Sequence, residues 1–143
     1  TPSATVALSL KRGRRALLRT PLGEYEILRT LGQGSYGKVK LVRNALTQEQ
    51  MAVKIIKRYP KHKHRKEHPE SKRARTLDQR VVREANLSRL LGEHHRHIIQ
   101  LRDFRVTDTH FYLFYEYVDG ITMSDRIGRN GLSETKARQY FKQ

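Results

Sequence analysis

Gly32-Gln33-Gly34-Ser35-Tyr36-Gly37 sets three glycines at G-x-G-x-x-G spacing, and its flanks limit the fold more than any other stretch of the chain. Tyr25 to Leu31 alternates before the loop, and Lys38-Val39-Lys40-Leu41-Val42-Arg43 alternates after it. That is the period of half-buried strands. A glycine loop of a dinucleotide-binding unit opens a helix; this one opens a strand. A third, apolar strand, Met51 to Ile56, carries Lys54 in its middle. Glycine has no Cβ, tolerates unusual backbone angles and lets the backbone approach a ligand closely. A lysine one strand further on adds a fixed positive charge, so the two together point to a site for the phosphates of ATP. A plain hairpin with a glycine-rich turn predicts no such lysine.

Asn44 to Gln50 reads as a polar turn. Residues 57–75 contain Pro60, Pro69 and dense charge without periodicity, which predicts a flexible insertion. Thr76 then starts a helix, with Gln79 as its capping-box partner. Val81, Val82, Ala85, Leu87, Leu90 and Leu91 form its apolar surface, and Gly92 ends it. Ile98 to Leu101 and Phe111 to Val118 read as two more strands. Asp119-Gly120 is a turn, Thr122 and Asp125 open a short helix to Ile127, and Ser133 caps a last helix running to Gln143. Five strands in one antiparallel sheet with one packed helix make an α+β architecture. Residues 24–118 form that unit, residues 1–23 are a basic and poorly ordered arm, and residues 119–143 lead away from it.

Charge is uneven. The net value is +16 over 143 residues. Residues 1–20 hold five Lys and Arg with no acid, and residues 57–83 hold eleven against three acids. The remainder is close to neutral. Two such appendages serve either as solvated loops or as attractors for nucleic acid, anionic lipid or acidic protein. Without cysteine the chain has neither disulfides nor thiolate metal sites. It has no apolar run long enough to cross a membrane as a helix and no signal-peptide pattern in its first ten residues, and it begins at Thr1, as a piece of a longer protein would. A reducing, intracellular setting is expected. His62, His64 and His68, like His94, His95 and His97, lack organised acidic or Cys partners, and no metal site is expected of them.

In its order of glycine loop, strand and strand lysine, the chain resembles the small lobe of a eukaryotic protein kinase over residues 25–143. Leu31 to Val39 corresponds to the phosphate-covering loop, with Tyr36 at its tip, and Ala52-Val53-Lys54 to the strand-three motif. The helix from Thr76 corresponds to αC, with Glu84 as partner of Lys54. Tyr115-Glu116-Tyr117-Val118 corresponds to gatekeeper and hinge, and Leu132 onward to the start of αE. The hinge, the Ala-Arg-x-Tyr-Phe run and the basic insertion are similar to the calmodulin-kinase and AMP-activated-kinase branch, especially fungal relatives of the microtubule-affinity-regulating kinases.

The resemblance implies a serine/threonine kinase that binds ATP with magnesium and acts on a protein substrate. It gives the backbone of Gly32, Gln33, Gly34, Ser35, Tyr36, Gly37 and Lys38 to the phosphates, and Lys54, held by Glu84, to the α- and β-phosphates. Leu31, Val39 and Ala52 would enclose adenine, and the Glu116 carbonyl and Val118 N–H would read its edge. Partners through the basic segments would be an anionic membrane surface or an acidic protein rather than nucleic acid, and the setting cytoplasmic, at the cell cortex. Tyr115 is a bulky gatekeeper, Ser88 replaces an apolar residue, Arg96 replaces a proline and Thr122 a ribose-binding Glu. Asp103, although flanked by Arg102 and Phe104, is expected to be a loop acid, since it precedes the hinge. No His-Arg-Asp or Asp-Phe-Gly motif follows αE, so the chain alone is expected to bind ATP weakly and to transfer nothing. The alternative is a pseudokinase or truncated scaffold that works by interaction.

Overall fold

The computed structural model describes residues 7–9, 16–20, 23–58 and 69–143. The chain order is β1 (Ala7–Ser9), β2 (Leu17–Thr20), β3 (Gly23–Gly34), β4 (Gly37–Asn44), β5 (Gln50–Lys57), α1 (Pro69–Gly92), β6 (Leu101–Val106), β7 (His110–Glu116), α2 (Met123–Ile127) and α3 (Glu134–Phe141). The strands form one antiparallel sheet in the order β1-β2-β3-β4-β5-β7-β6. Successive strands are neighbours until β5; the chain then crosses through α1 to the far edge and returns by the β6–β7 hairpin.

Both faces of the sheet are buried, and strand alternation decides what goes where. Met51 and Val53 join Leu18, Tyr25, Val42, Tyr112 and Phe114 in one cluster. Ile56 joins Phe111, Leu113 and Leu101 in a second cluster, which α1 closes with Val81 and Ala85. Ala52 and Lys54 share the side of Ile56, so the lysine faces the helix. Leu77, Val81, Ala85 and Ser88 recur at helical spacing along the packed side of α1, while Val82 and Leu90 remain exposed.

The architecture differs from the sequence-based expectation at both ends of the sheet and at the start of α1. The sheet has seven strands where five are expected, because β1 and β2 come from the residues read as a basic arm. β2 lies in register with the start of β3, Leu18 opposite Tyr25 and Arg19 opposite Glu24. Leu18 is fully buried, and the Ile27 amide donates to the Ala16 carbonyl at 2.9 Å. Charge dominates that segment in composition, yet Ala16, Leu17 and Leu18 are enough to add a strand. Residues 1–6 and 10–15 lie outside the described residues.

α1 begins at Pro69 rather than Thr76. Proline suits a first helical turn, where its missing N–H is not needed. The expected insertion over 57–75 is therefore shorter than predicted, and residues 59–68 lie outside the described residues. The strand expected over Ile98 to Leu101 starts at Leu101 and runs to Val106; Ile98 and Ile99 are exposed beside it. Asp103 accordingly stands on a strand, not in a loop, and its carboxylate accepts from the Arg105 guanidinium at 2.6 Å. The two C-terminal helices start where their caps predict, with the Thr122 hydroxyl accepting from the Asp125 amide and that of Ser133 from the Lys136 amide.

Truncating Leu18 to Ala should lower the unfolding free energy by about 2–5 kcal/mol, the usual loss for a buried leucine. Denaturant unfolding of the variant and parent measures it, and equal midpoints would show that β2 is not part of the core.

Candidate nucleotide site

The glycine loop is the tip of the β3–β4 hairpin. Two irregularities in register, between Ile27 and Arg29 and between Thr30 and Gly32, interrupt β3 before the tip. Bulges of this kind bend and twist a strand, and they aim the hairpin. Ser35 and Tyr36 make the turn, with Tyr36 exposed at its end. None of the three loop glycines has a positive φ, so the unusual angles expected of them are not what they supply. Their roles divide by space. A Cβ on Gly32 or Gly34 would meet nothing within 4 Å, whereas one on Gly37 would lie 2.3 Å from the Ile55 carbonyl oxygen. Gly32 and Gly34 leave the loop surface open to a ligand, and Gly37 lets β4 lie close to β5.

β5 then brings its residues to the same side. Val39 lies opposite Lys54 and Leu41 opposite Ala52, and directly opposed residues share a face. Leu31 sits at the second irregularity of β3, half-buried like Val39. Lys54 donates from Nζ to Glu84 Oε1 of α1 at 2.7 Å. Its side chain is 29% exposed and that of Glu84 39%, so the pair stands at the margin of the core with the cation open to an anion.

A third group reaches the same carboxylate. Tyr115 of β7 donates from Oη to Glu84 Oε1 at 3.2 Å, and Ser88, one turn further along α1, lies 3.5 Å from that hydroxyl. Burial pushes the Tyr115 phenol above its ordinary pKa; a hydrogen bond from Ser88 opposes the rise, and the charge of Glu84 and the hydrogen bond to it add to it. The phenol is thus held protonated and able to donate.

The segment after β7 is tied to the sheet by backbone and side-chain hydrogen bonds at Glu116 and by the Tyr117 side chain. The Glu116 amide donates to the Gln100 carbonyl at 3.0 Å, and the Gln100 amide donates to Glu116 Oε1 at 2.8 Å. From Tyr117 onward the chain leaves the sheet, and Val118 is exposed. Arg29 of β3 donates to the Tyr117 hydroxyl, which donates to Asp119, both at 3.2 Å. Among the described residues no three His, Cys, Asp or Glu side chains stand together as metal ligands.

Residues 25–143 match the protein kinase domain family. The chain belongs to that family. It is 40% identical over 123 residues to the probable serine/threonine-protein kinase KIN1 homolog of Enterocytozoon bieneusi (strain H348), a match that covers 85% of this chain and 18% of the relative. It is 38% identical over 141 residues to the protein kinase kin1 of Schizosaccharomyces pombe, covering 87% of this chain and 15% of the relative. The CBL-interacting serine/threonine-protein kinase 9 of Arabidopsis thaliana is 32% identical over 126 residues, covering 87% and 25%. The chain thus spans a quarter or less of the length of these three relatives.

In kinase terms α1 is αC; the structure pairs Lys54 with Glu84 and sets Val39 opposite Lys54 and Ala52 beside it on the strand, with Glu116 at the end of β7 and Val118 two residues beyond it. Two features were not foreseen. Ser88, which replaces an apolar residue, places its hydroxyl 3.5 Å from that of Tyr115. Arg58, just past β5, donates to Asp78 of αC at 2.9 Å and to the Thr107 carbonyl at 2.6 Å, with its guanidinium 4.9 Å from the centroid of the Phe111 ring. A serine at a position the family fills with an apolar residue was the available signal for the first feature. A lone arginine at the head of a charged run gave none for the second.

The two kinds of loop glycine should respond differently to a methyl group. Gly37→Ala should destabilise the fold by about 1–3 kcal/mol, as overpacking does, while Gly34→Ala should leave the unfolding midpoint of the chain close to the parent. Equal effects at both positions would contradict the division of roles.

Proposed function

We propose that this chain is the ATP-binding small lobe of a serine/threonine protein kinase, in which residues 119–143 begin the helical large lobe. The observation that carries the reading is the 2.7 Å contact between Lys54 and Glu84, made by a strand and a helix beside an open glycine hairpin. A lysine alone on a strand more commonly extends its ammonium into solvent. Here the carboxylate from αC fixes its direction, through a charge-assisted hydrogen bond.

The role of each residue follows from its type. Amides of the Gly32–Lys38 hairpin donate to phosphate oxygens, as peptide N–H groups turned toward one point do for anions. Lys54 supplies a compact, strongly charged donor to the α- and β-phosphates. Leu31, Val39 and Ala52 present apolar surface to adenine, and the smallness of Ala52 leaves space for the ring. The Glu116 carbonyl and Val118 N–H, where the chain leaves the sheet, form the donor and acceptor edge for the base. Magnesium, bound with ATP, neutralises charge on the phosphates. Transfer of the γ-phosphoryl group to a protein Ser or Thr further requires a base that orients the hydroxyl, and the sequence to Gln143 contains no His-Arg-Asp motif for it.

In a full-length protein containing this chain, Lys54→Met should weaken Mg-ATP binding about ten- to a hundredfold, the worth of hydrogen bonds to a charged group, and should abolish phosphotransfer to a protein substrate. Fluorescent-nucleotide displacement and radiolabel transfer measure the two. Undiminished transfer would defeat the assignment.

The eight-charge excess over residues 57–83 belongs to the same proposal: it attracts an acidic protein or an anionic membrane face and keeps the kinase at the cytoplasmic cell cortex. Deleting residues 60–67, which precede α1, should leave Mg-ATP affinity unchanged and reduce cortical localisation in cells. Localisation that is unaltered by the deletion counts against this role.

A further inference from the structure

Three structural elements converge on one oxygen atom. Lys54 from β5 and Tyr115 from β7 both donate to Glu84 Oε1 of α1, at 2.7 and 3.2 Å. Lys54 and Tyr115 are diagonal neighbours on the sheet, since Tyr115 lies opposite Ala52 and Lys54 opposite Leu113. From the helix side, Ser88 stands four residues after Glu84 and so on the same face, with its hydroxyl 3.5 Å from the Tyr115 oxygen. The three hydroxyl and carboxylate groups form a chain in which Ser88 donates to Tyr115 and Tyr115 donates to Glu84.

From this convergence we infer that Tyr115 and Ser88 are positioning residues for the Lys54–Glu84 pair, holding αC against the sheet by a polar latch at the position where the pocket behind the nucleotide is closed. The inference rests on the ATP-binding reading of the site and adds to it a task for the Tyr115 hydroxyl that the shape of its ring does not perform.

The physical need for a latch comes from the pair itself. With side chains 29% and 39% exposed, Lys54 and Glu84 are too open for the ion pair alone to hold a helix firmly. The apolar anchorage on the site side of α1 ends at Ala85, and Leu87 and Leu91 beyond it are exposed. A cavity of about 410 Å³ opens there, lined among others by Glu84, Leu87, Ser88 and Leu91. A rotation of the helix about its axis would carry Glu84 away from Lys54. The Tyr115 hydroxyl opposes that motion because its ring is fixed in the sheet and packs against the cluster that α1 closes. An apolar gatekeeper would fill the same volume but would leave the carboxylate with the lysine only. The phenol carries its donor proton across the neutral range, as an ordinary tyrosine does, and burial raises its pKa further. At 3.5 Å the Ser88 contact is longer than a strong hydroxyl hydrogen bond, so Ser88 supports Tyr115 and Tyr115 carries the larger share.

A double-mutant cycle in a full-length protein containing this chain tests the latch, with Mg-ATP dissociation constants for the parent, Tyr115→Phe, Lys54→Met and the combination. Tyr115→Phe keeps the ring and removes only the hydroxyl. The expected result is a loss of affinity of about twofold to tenfold in the parent background, the worth of one neutral hydrogen bond, and no further loss when Lys54 is already Met. A hydroxyl that acts independently of the Lys54–Glu84 pair would cost the same in both backgrounds, and that outcome overturns the latch while leaving the ATP reading in place. So does a Tyr115→Phe protein that binds Mg-ATP as the parent does, provided Lys54→Met weakens binding. If Lys54→Met itself leaves affinity unchanged, the ATP reading fails and the latch with it. Ser88→Ala, on the helix side, runs through the same cycle should Tyr115→Phe fail to fold. A small loss that depends on Lys54 supports the latch, and one that is absent or independent of Lys54 overturns it. Ser88→Thr, which restores the hydroxyl, should recover the parent affinity.

Discussion

β5 has to be buried on both faces, and that requirement organises the lobe. Its odd-numbered residues, Met51 and Val53, need a cover on one side of the sheet; its even-numbered ones, Ala52, Lys54 and Ile56, need a cover on the other. The first side is covered by strand residues alone, including Leu18 from β2 and the tilted pair of Tyr25 and Phe114, 5.7 Å apart. The second side is covered by α1 over Ile56, while Lys54 stands at the margin of that cover, opposite Val39 of the strand that leads back to the glycine hairpin. A charged residue survives in the middle of a two-sided strand because its ammonium is partly exposed there and paired with Glu84. Moving Lys54 by one position would turn it into the strand-only cluster, which offers it no partner.

αC is correspondingly the least anchored large element. It packs through Leu77, Val81 and Ala85, and its remaining attachments are polar. Arg58 holds Asp78 in the first half of the helix and lies over the Phe111 ring, while Lys54 and Tyr115 hold Glu84 six residues later. An apolar contact tolerates sliding, because dispersion and burial depend weakly on direction. A hydrogen bond is lost over a fraction of an ångström to one ångström of displacement. Polar points along a lightly packed helix therefore define two distinguishable positions, attached and detached, which is what a switch requires.

Much of this was legible in the sequence because its signals are local. β3 and β4 follow from alternation, β5 from its apolar run, the caps at Thr122 and Ser133 from their side chains, and the meeting of Lys54 with Glu84 from a family pattern. What was not legible depends on neighbours distant in the chain. Leu18 joins the core only because Tyr25 and Phe114 leave space for it, and the surrounding arginines hide it in composition. The start of β6 is fixed by its pairing with β7, so the apolar pair Ile98 and Ile99 predicts a strand where none forms, and Asp103 moves from loop to ladder. Pro69 starts the helix that Thr76 also could have started, and the choice between two adequate N-terminal signals is not made by either one alone.

The glycine spacing shows the same limit at the site. In the sequence Gly32, Gly34 and Gly37 are one motif; in the fold they answer two different demands. Gly37 is required by a packed backbone, because any side chain there strikes the Ile55 carbonyl. Gly32 and Gly34 face open space, so the protein fold itself gives no steric reason for a missing Cβ at either of them. A residue type that the fold does not need must be explained by something the fold receives. Two open glycines, on the hairpin whose second strand pairs with the strand of Lys54, are consistent with the proposed site, in which an anion is brought close to bare backbone.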